Sequence, residues 1–201
     1  MKAKAGWSII IGTGFLAALL LAGCGAESPK VKFYTLSALP RTSNPASAGR
    51  NLTVGVGPIN FPKLLNRPQI IARNGPNQVE IDEYHRWAGR LEDDFLRILA
   101  EDLGLILGAQ RVALFPWEEA FKPTFRVWLD VHRFDGGPGR DLVLEATWSV
   151  ARTGGQEAAV TKRSDIKISV SNATYEDLVA AHSRAVAALG REIGQAINGW
   201  R

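Results

Sequence analysis

The arrangement of this chain is decided by residues 123–152, which read PTFRVWLDVHRFDGGPGRDLVLEATWSVAR. Apolar and polar residues alternate along residues 123–134 and again along residues 141–152, as they do in strands with one buried face. Between these runs, DGGPGR at residues 135–140 is rich in the residues that form turns. The pattern predicts a long β-hairpin with one face in the core.

The register of this hairpin depends on its two apolar faces. Because side chains alternate between faces, matching the apolar residues of the two arms requires paired residue numbers with an odd sum. A sum of 275 places Leu129 opposite Ala146 and Val127 opposite Trp148. A slip of one residue would instead place Trp148 opposite Trp128 and mix apolar with charged neighbours. We therefore predict the register with the sum 275.

The rest of the chain supplies shorter strands and two helices. Alternating β-branched and aromatic residues predict strands at residues 30–36, 52–56, 69–73, 78–82, 111–115 and 166–170. Apolar residues recur with helical spacing over residues 91–106 and 178–197, and Thr174 with Asp177 caps the second helix. Six to eight strands with these helices predict an α/β fold of the α+β type. In this fold, a mixed, mostly antiparallel sheet carries two long amphipathic helices on one face.

The N-terminal residues carry a targeting signal. Lys2 and Lys4 precede an apolar stretch at residues 7–22, which leads into Leu-Ala-Gly-Cys at residues 21–24. This tetrapeptide resembles the lipobox of bacterial lipoproteins, in which the cysteine sulfur receives a diacylglyceryl group, the chain is cut before the cysteine and the new amine is acylated. The apolar stretch has 16 residues, fewer than the ~20 that a spanning helix needs, so a retained transmembrane helix is the weaker alternative.

Cys24 is the only cysteine of the 201 residues, which an ordinary secretory signal with an incidental cysteine would not explain. We therefore predict a cleaved signal peptide at residues 1–23, a lipidated tether at residues 24–29 with Cys24 acylated, and a single domain at residues 30–201. Gly25 follows where an aspartate would, in lipoproteins of enteric type, retain the protein in the inner membrane. The expected location is therefore the outer membrane.

Composition and motifs argue against several classes of function. Loss of Lys2 and Lys4 lowers the formal charge from +4 to +2, which is not the strongly basic balance of a nucleic-acid-binding protein. The sequence has no GxSxG motif for a serine nucleophile, and its three histidines are not spaced as zinc ligands. We therefore predict no catalytic residues, no metal and no cofactor.

Three features that could suggest chemistry have a structural interpretation. The sum of 275 places Asp130 opposite Glu145, but on an outer face water and nearby arginines would screen this pair of carboxylates. His182 lies on the apolar stripe of the last helix and is predicted to pack in the core. Gly-Val-Gly-Pro at residues 55–58 lacks the third glycine and the helix of a dinucleotide-binding loop, and it is interpreted as a turn.

One loop carries the predicted contact site for a partner, formed by Phe61, Leu64, Leu65 and Arg67. It lies between two prolines, which disfavour regular structure. Apolar side chains on such a loop either fold back onto the core or contact another molecule, and arginine is common at interfaces. Trp128 and Trp200 are further candidates for contact with a partner or with lipid headgroups.

Seven segments in order carry a family resemblance: FYTL (33–36), VGPI (56–59), FPKLLNRPQII (61–71), RWA (86–88) before LED (91–93), RVALFPW (111–117), VHRFD (131–135) and AAHSR (180–184). Together they resemble the ABC-transport auxiliary lipoproteins of the PqiC/YmbA type. The sequence departs from the family pattern at Gly89 and Arg90, where an acidic residue and a proline are expected. This departure concerns only how the first helix begins.

The resemblance implies a partner and a role. It implies a non-enzymatic lipoprotein on the periplasmic face of the outer membrane, working beside an MCE-domain protein that bridges the envelope and carries lipids, with homo-oligomers possible. The alternative is a structural or assembly lipoprotein of the outer membrane with no role in lipid transport.

Overall fold

The computed structural model of the protein describes residues 29–41, 50–154 and 159–200. Within these ranges, eight strands lie at Lys32–Tyr34 (β1), Arg50–Asn60 (β2), Gln69–Arg73 (β3), Val79–Trp87 (β4), Ala109–Leu114 (β5), Phe125–Gly137 (β6), Arg140–Arg152 (β7) and Ala159–Ile168 (β8). Two long helices lie at Leu91–Leu107 (α1) and Tyr175–Asn198 (α2), and a short 3-10 helix lies at Lys63–Leu65. The predicted signal peptide and Cys24 lie outside the described residues.

The sheet is mixed, and the long strand β6 lies at its centre. One edge of β6 pairs with β7, while the other edge pairs with β2 near its start and with β3 at its end. On that side the sheet continues from β2 to β5 and from β3 through β4 to β1, whereas β8 follows β7 on the other side. Four of the seven strand pairings between described residues are parallel, but the two longest, β6 with β7 and β7 with β8, are antiparallel. The predicted fold class is confirmed.

The hairpin of β6 and β7 has the predicted odd parity but not the predicted register. Leu129 pairs with Trp148 and Val131 with Ala146, so the paired numbers sum to 277 and the prediction of 275 is wrong. The reason is the position of the turn. β6 continues to Gly137, which pairs with Arg140, and a two-residue connection of this kind fixes the register of the strands that it joins.

The register of the same hairpin overturns a second prediction. Asp130 lies before the first irregularity, and the sum of 277 places it opposite Thr147. An extra residue between Val131 and Arg133 shifts the pairing to a sum of 278, so Glu145 lies opposite Arg133, and a second irregularity between Asp135 and Gly137 restores 277 at the turn. The expected facing pair of carboxylates does not form, and Glu145 instead has a cation as its neighbour.

Both helices pack on one face of the sheet, as predicted. α1 begins at Leu91 and ends at Leu107, and it is capped by Gly108, whose left-handed conformation (φ 59°) favours glycine. The hydroxyl of Thr174 accepts a hydrogen bond from the Asp177 N–H (3.1 Å), so the predicted cap of α2 is confirmed. These caps determine where the helices begin and end over the sheet.

The core lies between that face of the sheet and the helices. Along β6 the predicted apolar residues are buried, whereas Arg126, Trp128 and their equivalents on the other face are exposed. Trp148 of β7 is fully buried, and its indole N–H donates to the Ser164 hydroxyl of β8 (2.7 Å). Burying each such large side chain stabilises the fold by about 1.5–3 kcal/mol.

Candidate functional site

Of the residues in the predicted contact loop, some pack in the core and others lie at the surface. Phe61 packs edge-to-face against Phe95 of α1 (ring centroids 5.6 Å apart) and Phe134 of β6 (6.2 Å). Leu65, in the 3-10 helix, is buried. Of the two alternatives for this loop, these two side chains therefore fold back onto the core, and they stabilise the fold.

Leu64 and Arg67 form the part of this loop that remains at the surface. Leu64 is 43% exposed, and the Nε of Arg67 donates to the Leu64 carbonyl oxygen (3.2 Å). The hydrogen bond holds the cation beside the exposed leucine. The 3-10 helix thus presents an apolar side chain next to a cationic one, which is a smaller candidate surface than the sequence predicted.

A second feature, the strap, is formed by residues 35–39, which follow β1 and cross the two helices. Asp94 of α1 accepts hydrogen bonds from the Leu36 N–H (2.6 Å) and from the Thr35 hydroxyl (2.8 Å). The hydroxyl of Ser183 on α2 accepts from the Ser37 N–H (3.1 Å). Side chains of both helices therefore hold the N-terminal segment in place.

Asp102 of α1 completes the attachment of the strap. It is fully buried, and its Oδ1 accepts a hydrogen bond from the Leu39 N–H (2.7 Å). Its Oδ2 has no hydrogen-bond partner among the described residues. Burial raises the pKa of Asp102, against the effect of the Leu39 N–H and the nearby Arg191 cation. A carboxyl group is thus kept in the interior where it binds the backbone of the strap.

The strap and α2 border a groove of about 670 Å³. The small side chains of α2 make room for it, and two arginines also line it. The lining residues from α2 include Val179, Ala180, Arg184, Ala187, Ala188 and Arg191. The N-terminal segment of the domain therefore shapes a mostly apolar groove.

An aromatic cluster lies beside the end of β5. A cavity of about 370 Å³ is lined by Phe115, Trp117 and Trp128, of which Phe115 is 51% exposed and Trp128 38% exposed. The exposure of Trp128 agrees with its prediction as a contact residue, whereas Trp200 is partly buried and packs against the ring of Phe125 (5.8 Å). The cluster was not predicted as a unit, because Trp128 on β6 approaches the residues that follow β5 only through β2, which pairs with both strands.

The glycines at residues 55–58 explain how these aromatic rings approach the sheet. β2 continues through this segment, so the interpretation as a turn is wrong; the pairing with β6 is irregular between Val56 and Ile59. Gly57 has φ 112°, and an added Cβ would lie 2.8 Å from Phe115 Cβ. Glycine is required here because both the backbone conformation and the close ring leave no room for a side chain.

Two buried ionisable groups serve the fold. Asp135 of β6 accepts from the Arg73 Nε (2.9 Å) and Nη2 (2.7 Å) and from the Arg133 Nε (2.8 Å). Burial alone would raise the pKa of Asp135, but the two arginines outweigh it and the pKa lies below its usual value. The ion pair joins β3 to β6, where the only backbone pairing described is Ala72 with Gly136.

His182 packs in the core, as predicted. Its Nδ1–H donates to the Leu178 carbonyl oxygen (2.9 Å), and its ring meets those of Phe134 (4.7 Å) and Trp87 (5.3 Å). Burial lowers the pKa of His182 to about 4, so the ring is neutral at neutral pH. In the described part of the chain, no group of three or more His, Cys, Asp or Glu side chains is arranged to hold a metal ion.

The chain resembles known proteins in sequence and in fold. Residues 34–194 match the family described as the ABC-type transport auxiliary lipoprotein component. No curated protein sequence matches the chain. The helices among the described residues are not long and apolar enough to cross a membrane.

Two crystal structures share the fold. One, of an uncharacterized protein, has a TM-score of 0.68 at 15% identity and covers 84% of this chain and 99% of that chain. The other, of a Xanthomonas campestris protein of the DUF330 family, has a TM-score of 0.62 at 16% identity and covers 85% of this chain and 100% of that chain. At such identities the similarity shows the fold alone. The family match, however, spans most of the sequence, and the chain therefore belongs to the family of ABC-type transport auxiliary lipoprotein components.

Proposed function

We propose that this protein is an outer-membrane-anchored lipoprotein subunit of an MCE/ABC-type lipid transport system in the envelope. It binds an MCE-domain protein, and it supports lipid trafficking between the membranes and membrane integrity. Its role is protein–protein binding, and it catalyses no reaction. The domain at residues 30–201 is the binding module, and the acylated Cys24 is its anchor.

The observation that carries the proposal is the family match over residues 34–194. Cys24 lies upstream of the matched residues, within Leu-Ala-Gly-Cys, and is the only cysteine in the chain. A lipid anchor on this residue would hold the matched domain at a membrane surface, since two or more acyl chains bind a bilayer stably.

The ionisable groups of the interior support a binding role. Asp135 is paired with two arginines, His182 is buried and neutral, and Asp102 holds the strap. Each of these groups has a structural task that accounts for its place in the fold. The exposed features are instead apolar or aromatic, as in surfaces that contact other molecules.

Fractionation of the envelope tests the location. Because Gly25 is not the aspartate that retains enteric lipoproteins, we expect the full-length protein to sediment with outer-membrane markers on a density gradient. A matched Gly25→Asp variant should shift toward inner-membrane markers in a host that uses this sorting rule. Recovery of the wild type with inner-membrane markers in that host would contradict the proposed location.

A double substitution tests docking through the 3-10 helix. Leu64→Asp with Arg67→Glu reverses the charge and removes the apolar contact at this surface. Since Leu64 is 43% exposed, we expect the melting temperature to change by no more than a few degrees. We expect the amount of MCE-domain protein that co-purifies with the full-length chain to fall severalfold.

The matched control makes the same exchanges on β5, with Leu114→Asp and Arg111→Glu. Leu114 is 37% exposed, and the side chain of Arg111 is 54% exposed. If the β5 variant loses the partner and the Leu64 variant keeps it, docking occurs at the aromatic cluster instead. A Leu64 variant that melts far below the wild type would show that the loop belongs to the core and would end the docking hypothesis for it.

A further inference from the structure

The most exposed apolar side chains near the tether gather on β1 and β4. Phe33 is 65% exposed and Val31 41%, while Tyr84 is 43% and Ile81 40% exposed on β4. These are four of the eight large hydrophobic residues that are exposed in the described part of the chain. Such a concentration on two neighbouring strands is typical of a contact surface.

Phe33 lies in β1 and Val31 immediately precedes this strand, and the two side chains lie on one face. Lys32 and Tyr34, which alternate with them, both reach Glu176 of α2 at 3.1 Å. Successive side chains of a strand point to opposite faces. Val31 and Phe33 therefore point away from α2, and in the parallel register with β4 Phe33 lies beside Arg86.

The chain leaves the domain at a fixed point. The strap is held to the helices through Asp94, Ser183 and Asp102, and β1 is held through Glu176. The edge that carries Phe33 is thus attached to the rest of the domain at both ends of β1. A tether that pulls on Val31 pulls on this edge of the sheet.

The tether itself is short. Six residues, 25–30, separate Cys24 from Val31, so even a fully extended chain spans at most about 25 Å. If Cys24 is acylated, the start of β1 can be no farther than this from its lipid anchor. Among the exposed large apolar residues in the described part of the chain, Val31 and Phe33 are closest to Cys24 along the sequence.

The cations Lys32 and Arg86 of β1 and β4 are both paired, and β4 also carries the carboxylates of Glu80 and Asp82. Lys32 is paired with Glu176 (3.1 Å), and Arg86 with Glu83 (3.0 Å). Electrostatic attraction to anionic headgroups is therefore not expected to bind this surface to a membrane. Phenylalanine and tyrosine side chains, by contrast, favour the boundary between headgroups and acyl chains.

We propose that the β1–β4 edge, with Phe33 as its principal anchor, lies on the lipid bilayer and orients the domain against the membrane. The inference rests on the lipid anchor proposed for Cys24. It adds that the membrane contacts a specific protein surface through apolar side chains, independently of anionic lipid. Strand β5, at the opposite end of the strand order, then faces the periplasm.

The test uses the acylated full-length protein in vesicles of neutral phosphatidylcholine. Because the sulfur of Cys24 is acylated, a Phe33→Cys variant offers one thiol for an environment-sensitive fluorophore. Phe115→Cys is the matched control, because Phe115 is 51% exposed and follows β5, at the other end of the strand order. Val31→Cys is a second probe on the same face as Phe33, and it replaces Phe33→Cys if that variant does not fold.

We expect the fluorophore at position 33 to show a blue-shifted emission. We also expect a lipid quencher placed near the headgroups to quench it severalfold more strongly than the fluorophore at position 115. Equal quenching at both positions in protein that floats with the vesicles would overturn the inference and leave the anchor intact. A blue shift without lipid quenching, which grows with protein concentration, would assign the edge to a second copy of the chain and also overturn it. If the protein did not float with the vesicles, the lipid anchor and this inference would both be contradicted.

Discussion

Replacing Cys24 with alanine is expected to abolish acylation and to leave the signal peptide uncut. The reason is chemical, because the cysteine sulfur is the atom that receives the first lipid and no other cysteine in the chain can replace it. Each buried methylene contributes about 0.8 kcal/mol to membrane binding, so the loss of all acyl chains removes the lipid contribution and leaves only the uncut apolar segment at residues 7–22 to bind the membrane. Incorporation of labelled palmitate and the size of the mature chain measure both effects.

The control for this variant is Ser28→Ala, which lies four residues past the cysteine and should leave acylation and cleavage unchanged. If the Cys24→Ala protein still incorporated palmitate, or were cut at the same site, the lipoprotein assignment of this residue would be wrong. Folding of the domain should not differ between the two variants, since both substitutions lie upstream of residues 34–194, which match the family.

Replacing Asp135 with asparagine is expected to cause the largest loss of stability among conservative substitutions. Asp135 is 5% exposed and accepts three hydrogen bonds from Arg73 and Arg133. Removing one partner of a buried ion pair leaves the other charges without compensation, at a cost of about 3 kcal/mol. For a domain of this size the melting temperature should fall by roughly 6–12 °C. Thermal unfolding followed by circular dichroism measures the change.

The pH dependence of that loss has a defined sign. The pKa of Asp135 is lowered in the folded state, so the unfolded chain binds a proton more readily. The stability that the ion pair contributes is therefore complete above the unfolded pKa of about 3.9, and it is lost as the pH falls through the lowered value. The difference in melting temperature between wild type and Asp135→Asn should narrow below about pH 4.

Asp165→Asn is the matched control for the ion pair. Asp165 is paired with Arg163 at 3.3 Å, but both side chains are more than half exposed. Exposed pairs contribute little, so this variant should change the free energy of unfolding by less than about 0.5 kcal/mol. Equal effects of the two substitutions would show that Asp135 does not hold β3 to β6.

The hairpin shows how far the sequence predicts the fold. The alternation of apolar residues predicted both arms and their parity, because a one-residue slip would expose the whole buried face. A two-residue slip keeps every side chain on its face, so periodicity cannot distinguish 275 from 277. The turn at Gly137 and Arg140 sets the sum of 277, and the irregularities near Gly136 and His132 shift it to 278 and back. All of these depend on backbone geometry that the pattern does not encode.

The candidate contact surfaces could also be predicted only in part from the sequence. Two of the four predicted contact residues, Leu64 and Arg67, lie at the surface, whereas Phe61 packs against Phe95 and Phe134, its partners in α1 and β6. Local sequence could not assign these roles, because the packing partners lie far along the chain. A local signal for the strap did exist in Asp102, a carboxylate among the apolar residues of α1, since buried charges need partners.

The measurement that tests the central claim most directly is capture of the tagged full-length wild type from chemically cross-linked envelopes, with its partners identified by mass spectrometry. The control is an outer-membrane lipoprotein with the same first 29 residues and an unrelated domain. The account predicts that an MCE-domain protein is enriched with this chain and is absent from the control. Enrichment of outer-membrane assembly proteins alone, without any MCE-domain protein, would contradict it.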